Sequence, residues 1–182
     1  VCSADLVMVD LVDMTPYLAD IRAVDLFYHL TEEELERLLN LAEAVHYQKG
    51  EKILAQSETG DYLFAIVRGS ADVSFKDLND DEVFISSIEA GEMFGEAAIL
   101  TSEQRTASVI CSEEALAVRI HKRNLMTFIR DNPRAGNKIL MLIILSLLKK
   151  LKNANQDLAF EKRSEIDFNY ADSLIQDFIR DI

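Results

Sequence analysis

The chemistry this chain can do is concentrated in residues 91–109, G-E-M-F-G-E-A-A-I-L-T-S-E-Q-R-T-A-S-V, where Arg105 follows Glu96 by nine positions. The helix-compatible residues 96–100 can form one helical turn. The first N–H groups of such a turn lack partners within it and carry the positive end of the backbone dipole, which together make a place for a phosphate. Gly95 and Ala98 leave a ligand room to approach the backbone. Arg105, returning across the turn, can offer paired N–H donors to the same phosphate oxygens, in bonds about twice as strong as neutral ones. Glu96 can accept from a neighbouring hydroxyl. Either residue alone reads as a solvated surface charge; together, on one short segment, they match a sugar hydroxyl and a phosphate held a fixed distance apart, which is a nucleotide.

The elements around this segment must hold it in place. Thr31 and Glu34 have the spacing of a capping box, and Leu35, Leu38, Leu39 and Ala42 continue at helical spacing. Thr15 and Pro16 suit the start of a short helix reaching Val24. Between Val45 and His121 the period changes to short runs rich in Val, Ile, Phe and Tyr. They fall at 44–48, 51–55, 62–67, 71–76, 82–88, 106–111 and 114–120, separated by Gly50, Gly60-Asp61, Gly69, Asn79-Asp80 and Gly91. Short, evenly spaced strands predict a sandwich or jelly roll. From Asn132, a candidate cap, and Pro133, a helix is expected to run to about Leu158. Within it Leu140, Ile144, Leu147, Leu151, Ala154 and Leu158 form an a/d seam, widened by Met141, Leu145 and Leu148. That width suits a helix packing on its own domain and on a second copy, so a homodimer through 137–158 is expected; a purely intramolecular helix is the alternative.

The composition removes other classes. The length of 182 residues suits one domain plus appendages. With 19 Lys+Arg against 32 Asp+Glu, the net charge of −13 disfavours phosphate backbones and anionic lipid as partners. The two cysteines, Cys2 and Cys111, make no disulfide framework, and this usage fits a reducing cytoplasm. Residues 1–20 carry four aspartates and no basic leading segment, which argues against a secretory leader, and the apolar run 139–145 is too short to cross a bilayer. The acidic run 77–82 resembles a calcium loop but has Glu82 where glycine belongs and Ile88 in place of the closing glutamate, so it reads as a hairpin turn. His29, His46 and His121 show no ligand spacing, and no nucleophile and base stand together, so neither a metal site nor catalysis is expected.

The run F-G-E-A-A-I-L-T-S-E-Q-R-T-A-S-V resembles the phosphate-binding cassette of the cyclic nucleotide-binding domain family, which includes the catabolite gene activator, protein kinase A regulatory subunits and cyclic-nucleotide-gated channels. K-G-E-K-I at 49–53, G-D-Y-L-F-A-I at 60–66 and G-S-A-D-V at 69–73 extend the similarity over roughly residues 26–158. Ser57 departs from it, standing where the family usually has glycine.

The resemblance implies an α+β fold: an eight-stranded β jelly roll over 44–125, containing the cassette 91–109, after an N-terminal helical segment 1–43. A C-terminal lid or dimer helix 133–158 and an acidic amphipathic tail 159–182 would complete it. It further implies that Glu96 and the Gly95 backbone hold a ribose 2′-hydroxyl, that Arg105 neutralises a cyclic phosphate and that Ala98 and Thr106 give backbone N–H donors. The purine would lie between the β wall and the C-terminal helix, whose movement reports occupancy to an effector protein or an attached effector domain. No cofactor is implied besides the ligand, cAMP or cGMP. Thr106 could bond guanine, yet family members with the same Arg-Thr-Ala-Ser run bind adenine, and cAMP is the preferred expectation. Relatives that bind DNA append a helix-turn-helix; residues 159–182 are 24 in number and acidic, fewer than the ~35 that three helices need, so no nucleic-acid partner is expected. A dimerisation domain with a cassette that binds nothing remains the alternative.

Overall fold

A computed structural model describes the backbone of residues 11–101 and 104–180, and the side chains within those spans except at 98 and 157–180. A 3-10 turn at Thr15–Tyr17 leads into α1 (Leu18–Ala23), α2 (Asp25–Tyr28) and α3 (Glu32–Leu39). The capping box forms as the spacing predicts: Thr31 Oγ1 accepts from the Glu34 N–H at 3.3 Å, and Glu34 Oε2 accepts from the Thr31 N–H at 2.9 Å. Leu35, Leu38 and Leu39 then bury one face of α3.

The described residues contain nine strands, β1 before these helices and eight after them, one more than the eight expected. They are β1 (Leu11–Val12), β2 (Ala42–Tyr47), β3 (Lys52–Leu54), β4 (Tyr62–Arg68), β5 (Ser70–Lys76), β6 (Glu82–Glu89), β7 (Met93–Phe94), β8 (Ser108–Cys111) and β9 (Ala115–His121). The two-residue β1 and β7 are too short for any alternation to show, so their pairing was not legible. Five strands form one antiparallel sheet in the order β1-β2-β9-β4-β7, and the other four form a second in the order β3-β8-β5-β6. The sheets share one core: Val45, Tyr47, Phe64, Ile66 and Phe94 come from the first, Ala71, Ile88, Val109 and Cys111 from the second. The Phe64 and Phe94 rings stack at 5.0 Å, which ties β7, and with it the start of the cassette, to the centre of the sheet. Burial pushes the Cys111 thiol up to about 11, so it packs as a small apolar group; Cys2 lies outside the described residues.

Between the last strand and Pro133, where no helix is expected, stands α5 (Lys122–Asp131). Its start is capped by His121, whose Nδ1 accepts from the Arg123 N–H at 3.0 Å, a residue outside the usual Ser, Thr, Asp and Asn. Asn132 stands at the N-cap of the next helix, as expected, its carbonyl accepting from the Gly136 N–H at 2.8 Å, while its side chain closes α5, Nδ2 donating to the Phe128 carbonyl at 3.1 Å. Helix α6 (Pro133–Arg180) runs without a break past Leu158, so the expected boundary at 158/159 is not an element boundary. The chain divides into two compact units between Ile143 and Ile144. In the first, Ala135, Ile139 and Ile143 bury one stripe of α6, and Lys138 Nζ donates to Glu34 Oε2 at 2.8 Å. In the second, Ile144, Leu145, Leu148 and Leu151 are exposed. The side chains of the expected acidic tail, 159–182, lie outside the described residues. Among the described residues no helix is long and apolar enough to cross a membrane.

Candidate functional site

Gly95 follows β7, and its φ of +82° turns the chain into α4 (Glu96–Thr101). Only glycine reaches that conformation without strain, and its missing side chain matters as well: a Cβ there would lie 2.8 Å from Arg105 Nη1 and 3.0 Å from the Tyr62 carbonyl oxygen. Arg105 precedes β8, and its backbone is clamped by the loop before β4. The Arg105 N–H donates to the Glu58 carbonyl and the Ser57 N–H to the Arg105 carbonyl, both at 2.8 Å, beside a Thr59–Gln104 bridge. Ser57 takes a left-handed φ of +67°, so this turn keeps the glycine-like conformation despite the residue change.

The Arg105 side chain is buried, with 7% exposure. Its Nη1 donates to the Gly95 carbonyl at 2.9 Å and its Nη2 to the Tyr62 carbonyl at 2.8 Å, while Nε–H is buried with no hydrogen-bond partner. The guanidinium lies flat on Gly60, where a Cβ would come within 1.9 Å of Nε and 2.2 Å of Cζ. Burial pulls the Arg105 pKa down, and the carboxylates of Asp61, Glu96 and Glu58, in that order, oppose it. The buried cation is therefore favoured by acids from the loop before β4 and from the start of α4. One of those acids, Glu96, is itself only 3% exposed.

The expected set thus comes together in part. Gly95 and Arg105 are in contact, and Glu96 stands near enough to favour the Arg105 charge; Ala98 is in α4, its side chain outside the described residues; Thr106 is exposed beside Arg105 in sequence. A cavity of about 310 Å³ opens against Arg105, with Gly60, Asp61, Tyr62 and Arg119 among its walls, and it is not lined by Gly95, Glu96 or Thr106. Arg119 stands over the Tyr62 ring at 4.6 Å and its Nε donates to Glu43 at 2.7 Å, so that cation is already neutralised. Sequence reasoning missed the parts of Gly60, Asp61 and the Tyr62 carbonyl. The Gly60-Asp61 pair was the available signal, and it reads equally well as a plain turn. Among the described residues no three His, Cys, Asp or Glu gather to hold a metal ion. What the arrangement can do is bind an anion: a preoriented guanidinium, buried, with a donor to spare.

Residues 44–132 match the family model of the cyclic nucleotide-binding domain. A cGMP-dependent protein kinase of Drosophila melanogaster, isozyme 2 forms cD5/T2, is 33% identical over 102 residues, 56% of this chain and 11% of that protein. The CRP-like cAMP-activated global transcriptional regulator of Mycobacterium tuberculosis is 24% identical over 151 residues, 83% of this chain and 66% of that protein. The chain therefore spans about a tenth of the kinase's length. A cyclic nucleotide-binding domain from Methylobacillus flagellatus shares the fold, with a TM-score of 0.70 at 22% identity over 79% of this chain and 80% of that one.

Proposed function

We propose, from the premise that residues 44–132 belong to the cyclic nucleotide-binding domain family, that this chain is a regulatory module that binds cAMP or cGMP and passes occupancy on through α6. The observation that carries the reading is the Arg105 guanidinium, buried, aligned by the Gly95 and Tyr62 carbonyls and left with an unpaired Nε–H. A buried donor without a partner costs about 1–3 kcal/mol, which an arriving phosphate oxygen returns. Glu96 and the Gly95 backbone take the ribose 2′-hydroxyl in this reading, and Ala98 and Thr106 offer backbone N–H groups. The regulatory role is that of a receptor, not of an enzyme. cAMP is the preferred ligand. The exposed α6 residues Ile144, Leu145, Leu148 and Leu151 favour a homodimer through 137–158. The effector is a second protein or an attached domain, and the compartment is the cytoplasm.

Calorimetry of the wild type and Arg105→Ala with cAMP and with cGMP tests the site. Removing the charged partner of the phosphate is expected to cost about 2–4 kcal/mol, roughly thirtyfold to almost a thousandfold in Kd. Equal affinity for the two proteins would remove Arg105 from the reading, and a wild type that binds neither nucleotide would leave the dimerisation domain as the function.

A further inference from the structure

The hairpin β5–β6 carries a second surface that shares no residue with the cavity beside Arg105. Strand β6 is the end strand of its sheet and pairs with β5 alone among the described strands. Residues 82–87 are all exposed, with Val83 at 40%, Phe84 at 61% and Ile85 at 50%, and Leu78 at the hairpin tip is fully exposed. Natural sheets blunt such edges with short strands, bulges, lysine or proline. This edge is eight residues long and contains neither lysine nor proline. Its one register shift is a bulge in β6 itself, where Ile85 is the extra residue between Phe84 and Ser86, and it leaves 82–84 and 86–89 in regular pairing. An unpaired run of backbone N–H and C=O groups beside apolar side chains is a template for another strand.

The outer face of the same hairpin has a hollow to receive a side chain. Ala71, Ile88 and Val109 point into the core, so by the two-residue period Asp72, Ser74 and Ile110 point outward. With Glu82 and Phe84, these outward residues line a depression of about 300 Å³. Charge decides the occupant. Residues 70–89 contain Asp72, Asp77, Asp80, Asp81, Glu82 and Glu89 against a single base, Lys76, which is held by Asp80 at 2.8 Å. A second copy is disfavoured, because two β6 strands paired antiparallel in full register set Glu82 of each beside Glu89 of the other, and like charges in that position repel.

We infer that the free edge of β6 takes up an extended segment of a partner protein in which apolar and basic residues alternate. The backbone of that segment continues the sheet; on the outer face a lysine or arginine lays its stem over Phe84 and meets Glu82, and on the opposite face, where Val83 pairs with Phe75, an apolar side chain covers Val83.

The test uses the full chain and two synthetic octapeptides of identical composition, one alternating lysine and valine, the other with four lysines followed by four valines. Their charge is equal, so any difference reports strand pattern. The alternating peptide should bind about tenfold more tightly and slow amide hydrogen exchange at 82–88. Phe84→Lys, at an exposed site that a folded chain tolerates, should lower its affinity about tenfold with no change in cyclic nucleotide binding; Phe84→Ser, which adds no charge, should lower it less. Equal binding of the two peptides, exchange slowed on another surface, or an unaltered affinity in Phe84→Lys would each overturn the inference.

Discussion

Gly60→Ala isolates the geometry of the site with a single methyl group. The φ of Gly60 is outside the left-handed region, so alanine costs the backbone nothing there. Its Cβ would nevertheless lie 1.9 Å from Arg105 Nε and 2.3 Å from Nη2. Ordinary contact needs about 3.5 Å, so the guanidinium must retreat by roughly 1.5 Å. It cannot do so and keep its bonds of 2.9 Å to Gly95 and 2.8 Å to Tyr62. A charge-assisted bond is worth about 1.5–3 kcal/mol, so losing the one to the phosphate alone weakens cyclic nucleotide binding by roughly tenfold to more than a hundredfold. The assay is calorimetric titration of Gly60→Ala, Arg105→Ala and the double variant. Because the methyl acts only by moving Arg105, Gly60→Ala should cost nothing further once Arg105 is alanine, a complete coupling in the mutant cycle. Gly50→Ala is the control: its φ of +82° strains an alanine, yet nothing lies within 4 Å of the added Cβ, so stability falls and affinity stays. A wild-type Kd in Gly60→Ala, or costs that simply add in the double variant, would refute the reasoning.

Ser57→Gly relieves a left-handed residue at φ +67° and should raise the unfolding free energy by up to about 1 kcal/mol, since a strain of roughly 1–2 kcal/mol is partly offset by glycine's entropy; chemical denaturation checks it. Glu96→Gln should weaken binding less than Arg105→Ala and reduce discrimination against 2′-deoxy nucleotides, read by competition. Lys138, and after it the Thr31 N–H, hold the Glu34 carboxyl below the ordinary glutamate range. A group with a depressed folded pKa stabilises fully above its unfolded pKa and loses that contribution as pH falls through the folded value, so Glu34→Gln should flatten the acid limb of a melting-temperature profile. Leu148→Glu, on the exposed stripe of α6, should move sedimentation toward monomer.

What the sequence disclosed depended on how local the signal was. Glu96 and Arg105 stand nine positions apart with small residues between them, and their meeting follows from one turn and one strand. The capping box at Thr31 and Glu34 and the longer strands β4, β5 and β9 follow from spacing alone in the same way. The rest needed pairing across long separations. Tyr62 supplies its carbonyl and Asp61 its carboxylate from more than forty residues before Arg105, and a carbonyl has no side-chain signature to read. The seam along α6 concealed a division of labour. Ala135, Ile139 and Ile143, on a different stripe from the expected a/d set, are the ones buried in the first unit. Sequence shows which positions are apolar, and tertiary packing decides which of two adjacent stripes is covered.

The electrostatics of the site follow from the same cross-loop arrangement. A guanidinium as buried as Arg105 would be costly if it waited uncompensated for its ligand, because desolvation of a lone cation amounts to several kcal/mol. Asp61 and Glu58 arrive from the loop before β4, Glu96 from the start of α4, and all three favour the charged form. They make the unliganded fold tolerable. On the proposed reading an arriving phosphate meets a cation whose charged form these carboxylates already favour. What the acids cannot provide is a partner for Nε–H, which stays unpaired in their presence. On the same reading that N–H is offered to an acceptor oxygen of the phosphate, while Glu96 holds a hydroxyl of the sugar. So read, the site recognises its ligand through the direction of a buried N–H, which is how a protein carrying a net charge of −13 could bind an anion.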